Sequence, residues 1–113
     1  DDAEDCSEVA VVELDKTMVG APVANGDGTY TATYELAVTN TSASVEGTYD
    51  LADELRYGAG ITVDSAEVDN TAPSTITTNG AWDGDTQTGI VTDQAIGPEQ
   101  VHTYEVRVVL TLP

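Results

Sequence analysis

Two long runs of this chain alternate apolar and polar residues with a period of two, a pattern that can hide its apolar side only as an extended strand. From Thr29 to Thr39, Tyr30, Ala32, Tyr34, Leu36 and Val38 share one face, while Thr31, Thr33, Glu35 and Thr39 share the other. In the last run, Tyr104, Val106, Val108, Leu110 and Leu112 lie opposite Thr103, Glu105, Arg107 and Thr111. One face dry and one face wet is the signature of an antiparallel sheet covered on a single side. The composition agrees: with 17 Thr, no Phe and one Trp, the apolar residues are mainly Val, Ala, Leu, Ile and Tyr, and β-branched residues and Tyr suit a pleated surface.

Shorter runs bounded by Gly, Pro, Asn or Asp predict further strands at Val9 to Val19, Gly47 to Leu55, Ile61 to Val68, around Ile76, and Gln87 to Ile96. Gly26, Asp27 and Gly28 suit a tight turn with positive φ, leading into the Tyr30 strand. About seven short strands with turn signals every ten or so residues predict an all-β fold, an immunoglobulin-like antiparallel β-sandwich. The 113 residues leave room for one core. Residues 1–8 read as an acidic linker or the tail of a preceding module, and residues 9–113 as the single sandwich domain. No signal peptide and no long apolar span is present, so the chain reads as a segment of something longer. It carries no internal repeat, and would be one bead of an array rather than a solenoid.

Charge narrows the partners. Twenty-one acidic residues against three basic ones give a formal net charge of −18, which repels nucleic acid and anionic bilayers alike. A surface of this kind is expected outside the cell, in a setting rich in salt or calcium. The one cysteine, Cys6, sits among Asp2, Glu4, Asp5 and Glu8, which oppose thiolate formation. It is therefore a poor nucleophile, and the expected alternatives are a free thiol or a disulfide to a cysteine outside this segment.

Strand periods also place charges. Lys16 falls on the face of Val12, Leu14 and Met18, and Asp53 on the face of Tyr49, Leu51 and Leu55, so both are expected to point inward. A lone buried charge is costly, so the two should find each other or another polar partner inside the sandwich, the alternative being that the strand end lets Lys16 reach solvent. For metal, Asp83 and Asp85 flank a glycine, and Asp27 lies in a thinner group; calcium is the ion such oxygen-rich loops would take, although each also reads as a plain turn. His102 is the one histidine and reads as a strand-end residue flanking the Tyr104 core position, without the partners a zinc site or a catalytic triad requires. Trp82 with Tyr57 could form a carbohydrate platform, or Trp82 could plug one end of the sandwich.

Lys16-Thr17-Met18, Tyr34 to Thr41, and Asp53, Leu55, Gly60 and Ile61 together resemble the DUF11-type repeats of bacterial surface proteins, over roughly residues 12 to 113. The resemblance implies a β-sandwich related to pilin and adhesin stalk domains, generally strung in tandem, with neighbouring repeats as partners and a host or cell-surface protein or glycan as a further one. Some domains of that kind form a Lys–Asn isopeptide bond assisted by a buried Asp or Glu. Lys16 and Asp53 match two of the three positions, but Val109-Leu110-Thr111-Leu112-Pro113 supplies no Asn, so either a closing strand lies beyond Pro113 or the cross-link is absent. The resulting expectation is an extracellular structural or adhesive stalk module with no enzymatic turnover. The competing expectation is a module binding sugar, protein or calcium through its end loops.

Overall fold

The computed structural model describes residues 11–55, 57 and 60–112. Cys6, the acidic lead-in of residues 1–8 and the expected strand start at Val9 lie outside them. Among the described residues seven strands follow one another: β1 Val12–Met18, β2 Val23–Ala24, β3 Thr29–Asn40, β4 Gly47–Ala52, β5 Thr62–Ala72, β6 Gly89–Ile96 and β7 Val101–Thr111. They form two antiparallel sheets. The larger has the order β1-β3-β7-β5, with β2 also paired to β3, and the smaller is β4-β6. From β3 onward every connection passes between the sheets, which makes the molecule a β-sandwich.

The two alternating runs become the central strands. β3 and β7 pair over eleven residues, from Thr29↔Thr111 to Thr39↔Val101, without a register shift. Their even-numbered residues face the smaller sheet, and Ala32, Leu36, Val38, Tyr104, Val106, Val108 and Leu110 join Val68, Tyr49, Leu51, Ile90, Val91, Ile96 and Trp82 in one core. Each fully buried aliphatic side chain contributes about 1.5–3 kcal/mol through removal from water. Asn40 closes one end of this core: fully buried, it donates through Nδ2 to the carbonyls of Val45 and Ile96 and accepts through Oδ1 from Ser42 N.

Three sequence expectations change. No strand forms around Ile76, because Pro73 has no N–H to pair and Ser74 turns the chain at φ 70; Ile76 N instead donates to Asn70 Oδ1. The strand expected to end at Val68 continues to Ala72, held by its pairing with β7 through two register irregularities. A strand not expected, the brief β2, forms within the connection after β1 and pairs with the beginning of β3, and the expected turn, with Gly26 and Gly28 at φ 87° and 94°, joins β2 to β3.

Candidate functional site

Lys16 lies in the middle of β1, opposite Leu36 of β3, on the inner side of the larger sheet. Asp53 directly follows β4 in the smaller sheet, anchored where its N–H meets the carbonyl of Thr88. The two side chains span the gap between the sheets. Lys16 Nζ donates to Asp53 Oδ1 at 2.9 Å and Oδ2 at 3.2 Å, and stands 4.9 Å from the ring centre of Tyr34. The electron-rich ring face adds a second attraction for the ammonium.

Tyr34 and Tyr57 share a hydrogen bond between their hydroxyls at 2.8 Å. The Tyr57 hydroxyl is pushed well above its usual range, first by burial, then by the bond to Tyr34, and with the nearby Asp53 carboxylate adding to the effect. On the other side, Trp82 Nε1 donates to the carbonyl of Asp53 at 3.0 Å. Lys16, Tyr34, Asp53, Tyr57 and Trp82 therefore form one continuous polar seam between the sheets.

The burial expected for Lys16 is not found. Its side chain is 38% exposed and that of Asp53 is 11% exposed. Leu14 and Met18, its neighbours on the same face, are half exposed, at 51% and 47%. The physical reason is lateral: β1 is the last strand of the larger sheet, and the two strands of the smaller sheet do not reach across it. Among the described residues no asparagine bonds to Lys16 at the seam, and all four asparagines of the chain have partners elsewhere. Asn25 bonds Thr29 and Thr31, Asn40 the Val45 and Ile96 carbonyls, Asn70 the Ala72 and Thr103 carbonyls, and Asn79 the Gly89 carbonyl.

Trp82 is not a carbohydrate platform. It is 4% exposed and belongs to the core, so no ring face is free to stack on a sugar. Tyr57, the other half of that expectation, is half-buried with its hydroxyl on Tyr34. The acidic loops are organised as turns. Asp83 Oδ1 accepts from Gln87 N and Asp85 N while Oδ2 accepts from Thr86 Oγ1, and these bonds hold its carboxyl below the usual range. Asp27 Oδ1 accepts from Thr29 N and Thr29 Oγ1, which lowers its pKa likewise. Among the described residues, no three acidic, His or Cys side chains gather as a metal would require. Asp83, Gly84 and Asp85 do line a cleft of about 380 Å³ with Leu55 and the Val63–Ala66 segment.

A second polar group joins the sheets at His102, which lies at a strand end as its pattern predicts, second in β7. His102 is 5% exposed, with Nδ1 2.8 Å from the Tyr49 hydroxyl, which in turn lies 2.5 Å from the Tyr104 hydroxyl. Burial lowers the His102 pKa and raises those of Tyr49 and Tyr104, favouring the neutral form of all three. The signal was present in the sequence, because His102 shares its face with Tyr104 and Val106.

No family model, curated protein or solved structure matches this chain.

Proposed function

We propose that the chain is a structural module of an extracellular stalk, built to transmit tension along its strands and to be repeated in tandem on a bacterial surface or secreted protein. The observation that carries this reading is the direction of the first and last strands. β1 and β7 flank β3 on either side, and both are antiparallel to it. Val12 lies opposite Asn40 at one end of β3, and Thr111 lies opposite Thr29 at the other. The chain thus enters and leaves at opposite ends of a strand of twelve residues, roughly 40 Å apart.

Tension applied through these ends acts along the strands. It slides β1 and β7 past β3, so the load passes in series through the seven pairs of the β1–β3 ladder and the eleven of the β3–β7 ladder, each loaded in shear, and the shorter ladder sets the limit. Ladder bonds loaded in this way break as a set, whereas bonds peeled from one end break singly. The Lys16–Asp53 bridge ties β1 to the smaller sheet and opposes the same sliding. The resemblance to DUF11-type surface repeats and the acidic composition point in the same direction. Both supports are independent of the strand geometry.

Single-molecule pulling tests the reading in a Cys6→Ser background. One variant carries anchors at Val12→Cys and Thr111→Cys, and the other at Thr29→Cys and Thr111→Cys, which are paired neighbours and unzip β3 from β7. The first is expected to unfold in one step at several-fold the force of the second. Equal forces in the two geometries would remove the mechanical reading.

A further inference from the structure

The two edges of the larger sheet are treated differently. β5 forms one edge; its pairing with β7 is broken by two irregularities, and the segment after it folds back, with Thr78 Oγ1 donating to the Val68 carbonyl and Ile76 N to Asn70 Oδ1. Bulges and covering loops are the usual protection against pairing with another chain. β1 forms the other edge. Its seven-residue register is unbroken, and among the described residues it pairs with β3 alone.

The phase of the ladder shows which groups are open. Val11 O accepts from Thr41 N, and Val19 N donates to Thr33 O. Hydrogen-bonded and non-bonded pairs alternate in an antiparallel ladder, so the odd-numbered residues of β1 direct their backbone toward β3. Val12, Leu14, Lys16 and Met18 therefore turn their N–H and C=O groups to the open edge. The Lys16 side chain does not obstruct that edge, because Asp53 and Tyr34 draw it toward the smaller sheet.

Apolar surface and charge identify what fits. Val11, Leu14, Met18, Val19 and Val23 are all exposed, and all lie on or beside this edge. Between the valines on the outer face stand Glu13 and Asp15, both exposed, with Glu35 opposite Thr17 on the neighbouring strand. A second copy at −18 would bring like charge to like charge. We propose that the β1 edge binds an extended segment of another protein by strand addition, the incoming strand alternating aliphatic residues with Lys or Arg. Backbone bonds to Val12, Leu14, Lys16 and Met18 would supply the pairing, and the side-chain alternation the selectivity. The proposal does not depend on the mechanical reading, since a module that bears no tension could bind in the same way.

The probes are two synthetic peptides of ten residues, one alternating Val with Lys and one alternating Val with Glu, titrated into the full chain and followed by amide NMR and hydrogen exchange. The Val-Lys peptide is expected to slow exchange of the Leu14, Lys16 and Met18 amides at least tenfold and to leave the β5 edge unchanged, while the Val-Glu peptide leaves both unchanged. Leu14→Pro removes one outward N–H without removing a bond to β3, and should abolish that protection. Because Leu14→Pro could also disturb the strand, a second variant, Glu13→Lys with Asp15→Lys, is expected to invert the preference toward the Val-Glu peptide. A merely weakened fold would not invert it. Equal effects of both peptides, protection at β5 in place of β1, a preference unchanged in the double variant, or self-association through β1 without peptide would each overturn the proposal.

Discussion

Lys16 and Asp53 carry unequal parts in their bridge, and the inequality is measurable. Asp53 is nearly enclosed, so deleting its partner leaves a carboxylate with poor access to water; Lys16 can swing into solvent when Asp53 is removed. Lys16→Met, which keeps the aliphatic stem, is expected to cost about 1–2 kcal/mol, the penalty for an under-satisfied acceptor. Asp53→Ala should cost less than about 1 kcal/mol from the lost pair, as for bridges open to solvent. Urea denaturation of both variants checks the order, and the reverse order would mean that the ammonium is the enclosed partner. His102 supplies a second test. Its folded pKa lies below the ordinary 6.5, so as pH falls through that value the unfolded chain takes up a proton that the folded chain refuses. Stability from this group is complete above that range and is lost on acidification. The midpoint of wild-type denaturation should therefore fall relative to His102→Phe, which cannot titrate, as the pH drops below about 6.5. Parallel profiles would show that His102 protonates equally in both states.

At the scale of elements, β3 and β7 were legible in the sequence because they are central strands covered on one face, the arrangement that a period of two reports. β1 shows the limit of the same signal. Val12, Leu14 and Met18 alternate as a buried face would, yet that face projects past the smaller sheet and remains half exposed. Periodicity reports which residues share a face, and neighbouring elements decide whether that face is covered. It brought Lys16 and Asp53 to the same gap for that reason, and misjudged the depth of Lys16. The end of β5 failed in the opposite sense: Asp69, Asn70 and Thr71 give no apolar alternation, and the strand persists because β7 offers a ladder to pair with. Trp82 was ambiguous for a third reason. Only the position of the Asp53 carbonyl, distant in sequence, determines whether its indole N–H is satisfied inside or outside the core.

Over the whole molecule, the acidic surplus is the dominant electrostatic term. Two of the three basic residues lie in described parts of the chain, and both are already engaged: Lys16 with Asp53, and Arg107 with Glu105, Asp69 and Glu67 across the outer face of the larger sheet. The Arg107 contacts are exposed bridges worth at most about 1 kcal/mol each. Against them stands mutual repulsion within a net charge of −18, confined to a small sandwich when folded and spread over a longer chain when unfolded. Salt weakens both terms, and the repulsion, being the larger, sets the sign. The screening length falls from about 30 Å at 0.01 M ionic strength to about 10 Å at 0.1 M, a change that spans the separations between surface groups here. The melting temperature is therefore expected to rise through this range of sodium chloride, most steeply at its lower end. Calcium and magnesium chloride at matched ionic strength should agree with each other, since the Asp83 and Asp27 carboxylates already cap their own turns. A flat response to sodium chloride would mean that the bridges cancel the repulsion. A calcium increment absent with magnesium would instead place a selective cation site in the acidic loops, against the turn geometry they display.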